Sequence, residues 1–366
     1  MPTEATVVVL PQEQGKPLYL QSLKLPDPGP HEVVVQQFAG GICHSQLHQM
    51  HNPRETPILL GHESTGKVLA TGAEVDHVAE GDMVLVTWVP RNVNESGRVP
   101  ARQTLTLPGD IHAASQNVFT WADCTIADEQ YVVKVQDDIT RDVTSIIGCA
   151  VMTGAGAVIN TAEVKAGESV AVFGVGGVGL SAVVAAKKAG ANPIIAVDLD
   201  NEKLEFAKKF GATHAVNGSE VDAVAKVHEI TQQADKYTIM RTPVSGVDYA
   251  FDCIGVNQTI SQILGAIRNG QFGAEKGGVA VLVGIPQGPL EMMPIDLVIN
   301  EKSFIGSIGG SCCPDKDFPE FVQWHESGDL DLNQLVTERF RLEQINEAAT
   351  ALENGEISGR AILDFQ

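Results

Sequence analysis

The most constraining feature of the sequence is a glycine-rich turn that joins an apolar run to an Ala-rich segment. Residues 170–179 read Val-Ala-Val-Phe-Gly-Val-Gly-Gly-Val-Gly, which fits the spacing G-x-G-x-x-G. Gly174 allows a tight turn, Gly176 lets other atoms approach the backbone, and Gly179 lets a helix pack closely on a strand. A strand, this turn and a helix predict a βαβ unit within a parallel sheet.

The same turn predicts a ligand. Free N–H groups and the dipole at a helix N-terminus favour phosphate, so the turn fits the pyrophosphate of a dinucleotide. Asp198 lies 19 residues after Gly179, where a carboxylate accepts hydrogen bonds from a ribose diol and repels a 2′-phosphate. We therefore predict NAD as the cofactor. The cofactor-binding residues predicted on this ground are Gly174, Gly176, Gly177, Val178, Gly179 and Asp198.

The 366 residues predict two domains. Beyond about residue 168, short apolar runs alternate with helical segments such as Asn201–Phe210, as in a doubly wound parallel sheet. The first half carries strand-like runs such as Glu32–Phe38 and has no sustained helical period before about Thr144. We predict an α/β protein with a mostly β catalytic domain and a dinucleotide-binding domain. The predicted boundaries are 1–150 with 310–366 for the first domain, and 151–309 for the second.

A second motif places metal-binding side chains close together. Residues 40–50 read Gly-Gly-Ile-Cys-His-Ser-Gln-Leu-His-Gln-Met. Cys43 in this stretch, His62 in Gly-His-Glu and Cys149 in Gly-Cys-Ala offer the ligands of a catalytic zinc ion, which keeps one position open. Each residue alone has a simpler interpretation, because a free cysteine is often a small buried hydrophobic residue. The three together, on a chain with a dinucleotide turn, favour the metal site.

Composition excludes several classes of function. The formal net charge of −21 argues against binding to the phosphates of nucleic acid. No apolar run approaches about 18 residues, so we expect no membrane span. The N-terminus lacks a signal-peptide pattern, so we expect a cytoplasmic protein. The six cysteines show no disulfide-like spacing, which favours reduced thiols or metal ligands.

In their order along the chain, the motifs resemble those of the zinc-dependent alcohol dehydrogenases of the medium-chain dehydrogenase/reductase (MDR) superfamily. The resemblance covers nearly the full length. The resemblance implies a GroES-like catalytic domain, a Rossmann cofactor domain, and interconversion of a small alcohol with its aldehyde or ketone. The stretches that carry it are Gly41–His48, Gly61–Glu63, Ile147–Gly154, Gly174–Gly179, Ala196–Asp198 and Ala361–Phe365.

The resemblance also implies roles around the metal. Ser45 matches the hydroxyl that takes the alcohol proton, and His48 matches the imidazole that passes this proton to solvent. Glu63 matches a residue that lies beside the ligands or binds the metal transiently. The positions that match the zinc ligands themselves are Cys43, His62 and Cys149.

Six further positions match contacts of the cofactor or the substrate. The cofactor positions are His44 for the pyrophosphate, Thr153 for the nicotinamide, Lys203 for the adenosine ribose and Arg360 for a phosphate. The positions that match bulky residues of the substrate channel are Trp88 and Trp121.

Two features depart from the family pattern. Residues 91–117 stand where many relatives carry a lobe with four cysteines around a structural zinc, and they contain no cysteine. We therefore predict one catalytic zinc per chain and no structural zinc, with this polar segment as a functional or partly mobile excursion. Gln46 stands where the family usually has Asp bonded to the ligand imidazole. Because Gln adds no charge, we expect zinc affinity to fall by about tenfold.

The sequence leaves alternatives. A polyol or threonine dehydrogenase fits, except that those enzymes commonly have an acidic residue in place of Cys149. A zinc-free enoyl or quinone reductase, or a non-catalytic NAD-binding protein, is expected to lack the ligands or the relay. Neither the identity of the alcohol nor a role for the insertion 235–245 can be derived. Ser303–Ile308 is a candidate edge strand, through which we expect at least a dimer, with a tetramer as the alternative.

Overall fold

The computed structural model describes residues 3–92, 97–234, 236–237, 241–271 and 273–366. Residues 93–96 of the polar segment, and residues 235 and 238–240 of the insertion, therefore lie outside the described residues. Within the described ranges, no helix has both the length and the apolar character that crossing a membrane requires.

The elements are numbered in chain order over the described residues. The strands are β1 Glu4–Leu10, β2 Tyr19–Lys24, β3 Glu32–Ile42, β4 Ile58–Leu59, β5 Ser64–Thr71, β6 Met83–Val86, β7 Thr104–Leu107, β8 Ile111–Ala114, β9 Cys124–Asp128, β10 Val132–Lys134, β11 Val170–Phe173, β12 Ile194–Asp198, β13 His214–Asn217, β14 Tyr249–Asp252, β15 Val279–Leu282, β16 Ser303–Gly306, β17 Val336–Phe340 and β18 Arg360–Asp364. The helices are α1 His44–His51, α2 Ala150–Gly156, α3 Gly177–Lys188, α4 Asn201–Phe210, α5 Ala223–Thr231, α6 Asn257–Ala266, α7 Pro294–Ile299, α8 Pro314–Glu326, α9 Leu332–Leu335 and α10 Ile345–Glu353.

The chain divides into two compact units. Unit 1 comprises Met1–Ala150 and Cys313–Gln366, and unit 2 comprises Val151–Cys312. The predicted return to the first domain at residue 310 lies three positions before the return at Cys313.

Unit 1 is built on two sheets. One is five-stranded, in the order β2-β1-β4-β8-β7, and the other is seven-stranded, in the order β10-β6-β5-β3-β18-β17 with β9 also paired to β3. The β-branched run Val33–Val35 is buried at the start of β3, which pairs with β5, β9 and β18. Because β3 ends at Ile42, this sheet fixes the position from which Cys43 begins the next element.

The polar segment, expected to be a functional or partly mobile excursion, contains a β-hairpin. Strands β7 and β8 pair antiparallel across a turn in which Gly109 has φ +86°, a left-handed conformation that glycine adopts without strain. Leu105, Leu107 and Ala113 of the hairpin are buried in a hydrophobic cluster of unit 1. The alternation Thr-Leu-Thr-Leu in β7 turns both leucines inward, as the two-residue period of a strand requires.

Helix α1 lies in the part of the chain for which we predicted no helical period. Its sequence is polar, and only Gln46 and Leu47 are buried, so it has no apolar stripe that a periodicity search could find. The helix begins at the N-cap Cys43, whose N–H donates to the side-chain carbonyl of Gln46 at 3.0 Å. This capping contact is a local signal, and it lies inside the predicted metal-binding stretch.

Unit 2 has the predicted parallel sheet, with six strands in the order β13-β12-β11-β14-β15-β16. Strand β11 comes first in the unit but lies in the middle of the sheet, with β12 on one side and β14 on the other. The turn after β11 therefore lies where the strand order reverses, the place at which open α/β sheets bind ligands. Strand β16 forms one edge of this sheet, as the run Ser303–Ile308 predicted.

Candidate metal centre and nucleotide-binding turn

The structure brings together the three predicted metal ligands. Cys43 caps α1, His62 lies between β4 and β5, and Cys149 follows the 3₁₀ segment Val143–Gly148. Their ligand atoms all lie within 4.8 Å of one another, and the two sulfur atoms are 4.0 Å apart. Nε2 of His62 is buried and finds no hydrogen-bond partner among the described residues. Two sulfurs and a ring nitrogen that lacks a partner fit a tetrahedral zinc ion with one open position.

The two thiols differ in their acidity. A hydrogen bond from Cys149, reinforced by the nearby charge of Arg360, holds the pKa of Cys43 well below its usual range although burial opposes this. The same contact, together with burial, raises the pKa of Cys149 well above its usual range. Cys43 is therefore the more acidic of the two thiols, and the thiolate is the form of cysteine that binds a metal ion.

Glu63 and Arg360 form a buried ion pair beside the thiols. Arg360 is 5% exposed, and its guanidinium donates to the fully buried carboxylate of Glu63. Burial raises the pKa of Glu63, although Arg360 opposes the shift. Burial acts to lower the pKa of Arg360, but the charges of Glu63 and Cys43 raise it. We call Cys43, His62, Cys149, Glu63 and Arg360 the thiol cluster.

The ion pair explains why glycine is required at position 41 of the metal-binding stretch, and it gives the contact that Arg360 makes in this structure. A Cβ on Gly41 would lie 2.2 Å from the Glu63 carboxylate, so only glycine leaves space for Glu63 at this point of β3. Arg360 was predicted to contact a cofactor phosphate, but its partner in the structure is a carboxylate in unit 1. Its Nε is buried and has no partner among the described residues.

Helix α1 carries the predicted relay residues next to Cys43, its N-cap. Ser45 and His48 are three positions apart, and residues at this spacing lie on the same helix face. Oγ of Ser45 is buried and has no hydrogen-bond partner in the described part of the chain. The side chain of His48 is partly exposed and that of His44 is exposed.

The two tryptophans predicted for a substrate channel have different environments. The ring of Trp88 meets the ligand ring of His62 edge-on, with centroids 6.4 Å apart, and its buried Nε1 has no partner among the described residues. Trp121 is only 1% exposed, lies in a hydrophobic core cluster and donates its Nε1–H to the carbonyl of Gly41. Trp88 therefore lies beside His62 of the candidate metal centre, whereas Trp121 is buried and its indole N–H bonds to the backbone of β3.

In unit 2 the glycine-rich turn has the expected backbone geometry. Gly174 has φ +86°, and a Cβ on Gly179 would lie 1.8 Å from the carbonyl oxygen of Gly174. A Cβ on Gly176, the N-cap of α3, would meet nothing within 4 Å, so the space beside this residue is open to a ligand. Gly177 and Val178 follow as the first residues of α3, where backbone N–H groups have no helical acceptor.

The other predicted cofactor residues of unit 2 lie on neighbouring elements. Asp198 ends β12, and its carboxylate accepts hydrogen bonds from the N–H groups of Val175, Leu199 and Asp200. A carboxylate has about four acceptor sites, so capacity remains for a ribose hydroxyl. Lys203 is in the first turn of α4, which begins three residues after Asp198. Thr153 is in α2, and its Oγ1 is buried without a partner among the described residues.

A second cluster of ionisable side chains in unit 1 was missed by the sequence analysis. Arg98 donates to both oxygens of Asp128 at 2.6 and 2.9 Å and to Glu129 at 2.9 Å. Glu129 also contacts His31 at 2.7 Å and His77 at 3.6 Å. We call these five residues the lobe ion-pair cluster, because Arg98 belongs to the polar segment. No sequence motif could have revealed it, since its members come from four distant stretches.

The folds of both units and the donor set of the thiol cluster agree with the protein families that the chain matches. The family described as "Alcohol dehydrogenase GroES-like domain" matches residues 29–137, and "Zinc-binding dehydrogenase" matches residues 177–327. The alcohol dehydrogenase class-3 of Cereibacter sphaeroides is 33% identical, with 100% of each chain covered. That of Drosophila melanogaster is 30% identical, with 96% of each covered.

Solved structures agree. An alcohol dehydrogenase zinc-binding domain protein from Burkholderia ambifaria has a TM-score of 0.88 at 31% identity, with both chains covered to 100%. Benzyl alcohol dehydrogenase from Acinetobacter calcoaceticus has a TM-score of 0.85 at 29% identity, also with full coverage of both chains. The chain therefore belongs to the zinc-type alcohol dehydrogenases of the MDR superfamily, and it is an oxidoreductase. The predicted family and the predicted GroES-like and Rossmann folds are confirmed.

Proposed function

We propose that the chain is an NAD-dependent alcohol dehydrogenase that uses one catalytic zinc and a Ser/His proton relay to interconvert a small alcohol and its aldehyde or ketone. One observation carries this proposal: Cys43, His62 and Cys149 come from separate parts of the sequence, yet their ligand atoms lie within 4.8 Å. The partnerless Nε2 of His62, judged over the described residues, supports a cation there.

The thiol cluster provides the metal site. When bound, zinc acts as a Lewis acid that lowers the pKa of an alcohol hydroxyl and polarises a carbonyl group. Cys43, His62 and Cys149 would hold the ion and leave a fourth position for the substrate oxygen. Glu63, held by Arg360, adds a carboxylate close to the ligands. A thiol at position 149, instead of an acidic residue, favours an alcohol dehydrogenase over the polyol and threonine types.

Ser45 and His48 would carry the alcohol proton to solvent. The buried Ser45 Oγ has no partner within the described residues, so it can accept a hydrogen bond from a substrate hydroxyl. His48 lies on the same face of α1, is partly exposed and can exchange a proton with water. The role of this pair is to remove a proton from a buried position that water does not reach directly.

The turn of unit 2 would bind NAD, which supplies the hydride acceptor when bound. The N–H groups at the start of α3 suit the pyrophosphate, and the free capacity of Asp198 suits the adenosine ribose. Thr153, Lys203 and His44 are proposed as further contacts. Asp198→Ala should weaken NAD by about tenfold, the value of about one hydrogen bond to a charged group, and should improve NADP relative to NAD. A wild-type enzyme that already uses both cofactors equally would contradict this role.

The apolar face of α7 and β16 is proposed to pair with a second copy of the chain. None of the six residues of α7, all of them described, is buried, and Met293 and Val298 are 75% and 73% exposed. The edge strand β16 follows, and beyond it Ile308 is 66% exposed. Exposed apolar side chains on both sides of an edge strand favour a closed two-fold contact. A monomer at micromolar concentration in light scattering would contradict this proposal.

Metal analysis together with turnover tests the proposed function. Protein purified without chelator should contain about one zinc per chain and should reduce NAD with a panel of primary, secondary and aromatic alcohols. Removal of zinc should abolish turnover, and added zinc should restore it. Stoichiometric zinc without turnover on any alcohol would contradict the reaction, whereas turnover without zinc would contradict the role of the thiol cluster.

A further inference from the structure

Helix α1 carries both proposed relay residues, yet packing holds little of it in place. It has eight residues, of which only Gln46 and Leu47 are buried. Isolated helices of this length are marginal in water, so contacts outside the helix must stabilise it. The first turn begins at Cys43, directly after β3, whereas His48 belongs to the last turn. The contacts at the C-terminal end of α1 therefore determine where His48 lies.

Arg54 supplies most of the hydrogen bonds at that end. The last four carbonyl groups of an α-helix have no donor within the helix. Nη1 of Arg54 donates to the carbonyl oxygens of Gln49 at 3.3 Å and Met50 at 3.0 Å. It also donates to the carbonyl oxygen of Asn52, just beyond the helix, at 3.0 Å. One guanidinium nitrogen thus engages three consecutive parts of the chain where α1 ends.

The two remaining carbonyl groups of the last turn also have donors. Nε2 of Gln14 donates to the carbonyl oxygen of His51 at 3.0 Å. The backbone N–H of Asn52 donates to the carbonyl oxygen of His48 at 3.0 Å. All four terminal carbonyl groups of α1 are therefore hydrogen-bonded, and two of the four depend on Arg54.

The same guanidinium fixes this end of α1 to a sheet of unit 1. Its Nε donates to the carbonyl oxygen of Pro11 at 2.5 Å, and its Nη2 donates to that of Glu13 at 3.4 Å. Both acceptors lie in the segment that follows β1. The positive charge also suits the negative end of the helix dipole. Because five main-chain oxygens share one planar group of donors, no other single side chain replaces it fully.

We propose that Arg54 is a positioning residue of the proton relay, and that it holds His48 on the helix face shared with Ser45. The inference rests on the relay of the proposed function. Without Arg54 the carbonyl groups of Gln49 and Met50 turn to water, and the last turn of α1 frays. The first turn keeps its place at the end of β3. The loss therefore falls on proton transfer and spares the binding of metal and cofactor.

Arg54→Met tests the proposal, because it removes every donor while keeping much of the side chain. We expect kcat for alcohol oxidation at neutral pH to fall by about threefold to tenfold, no more than in His48→Gln. Zinc content and KM for NAD should equal those of wild type. Arg54→Lys keeps the charge and three donors, so it should recover part of kcat.

A double-mutant cycle separates this role from a merely structural one. In the His48→Gln background, Arg54→Met should lower kcat by less than about twofold, because both changes remove the same contribution. Arg339→Met is the matched control, since it removes an arginine of unit 1 whose guanidinium bonds to Asp142. It should leave kcat unchanged in both backgrounds.

The outcomes distinguish this inference from the proposed function. If His48→Gln itself keeps the kcat of wild type, the relay fails, and this inference fails with it. If His48→Gln lowers kcat but folded Arg54→Met does not, or lowers it equally in both backgrounds, this inference alone is overturned. Circular dichroism establishes that each variant is folded. Should Arg54→Met not fold, the same cycle is measured with Arg54→Lys and read in the same way.

Discussion

The thiol cluster and the lobe ion-pair cluster lie in the same unit, and both place carboxylates out of solvent. In the lobe ion-pair cluster, the Asp128 side chain is 1% exposed and both its oxygens are taken by Arg98. It also accepts from the backbone N–H groups of Ala101 and Gln130. In the thiol cluster, Glu63 has Arg360, but Nε2 of His62 and the nearby Oγ of Ser45 have no partners among the described residues.

This difference separates a binding site from a structural contact. The groups Cys43, His62, Cys149 and Asp76, His77, Glu129 both bring three potential ligand atoms within 4.8 Å, so distance alone does not distinguish them. The charged partners do, because Arg98 already engages Glu129 at 2.9 Å in the second group. Nδ1 of His77 also lacks a hydrogen bond among the described residues, but it lies 3.6 Å from the Glu129 carboxylate. The carboxylates of the lobe ion-pair cluster anchor the polar segment through Arg98.

The strongest test removes a ligand from the thiol cluster. Cys43→Ser should lose zinc, and turnover should fall by about three orders of magnitude, or about 4 kcal/mol of transition-state stabilisation. Zinc content and kcat are the measurements. Cys313→Ser, at an exposed cysteine of the same unit, should retain both. Full zinc occupancy in Cys43→Ser would show that the metal binds elsewhere.

The next test breaks the lobe ion-pair cluster. Arg98→Met leaves Asp128 and Glu129 buried without their cation, so we expect a loss of about 2–3 kcal/mol in the free energy of unfolding. Denaturant midpoints measure this loss, and zinc content should remain that of wild type. The exposed Arg102 of the same segment provides a control, since Arg102→Met should change little. If Arg98→Met instead released zinc, the two clusters would not be independent.

A smaller effect is expected for the relay beside the thiol cluster. His48→Gln should lower alcohol oxidation near neutral pH by roughly tenfold, because water partly replaces a terminal relay group. The loss should shrink as pH rises and hydroxide takes the proton. Zinc content should not change. His51→Gln, on the same helix with its imidazole 3.2 Å from Glu353, is the control for a surface histidine. If His48→Gln had wild-type activity at neutral pH and showed no recovery of activity with rising pH, His48 would have no part in the proton relay.

The smallest expected effect is a pH dependence of stability in the lobe ion-pair cluster. Burial acts to raise the pKa of Asp128, but hydrogen bonds from Arg98 and the backbone outweigh it and hold the pKa below its usual range. A lowered folded-state pKa stabilises the fold above the unfolded-state value of about 3.9, and this stabilisation is lost as pH falls further. Wild type should therefore lose unfolding free energy more steeply below about pH 4 than Arg98→Met. If urea titrations showed that wild type and Arg98→Met lose unfolding free energy equally steeply as pH falls, this account would be contradicted.

The sequence and the structure agree best where local pattern decides the structure. The turn at Gly174, helix α4 at Asn201–Phe210 and the three predicted ligands were all accessible, because spacing and residue chemistry determine them. Helix α1 was not, since a polar helix with two buried residues lacks an apolar period. The lobe ion-pair cluster and the Arg360–Glu63 pair depend on contacts between residues about 30 and 300 positions apart, which no local pattern encodes.

The division of unit 1 has a consequence for the order in which the protein matures during synthesis. Strand β18 lies between β3 and β17, and its pairing of Ala361 with Ile42 completes the sheet beside Cys43. Residues 313–366 leave the ribosome only after the whole of unit 2, whose chain is continuous and can fold first. Until residues 313–366 have been synthesised, Glu63 has no Arg360 with which to pair, although all three proposed zinc ligands are already part of the nascent chain. A nascent chain halted after unit 2 should therefore present its thiols in an unfinished sheet, open to oxidation or to the wrong metal.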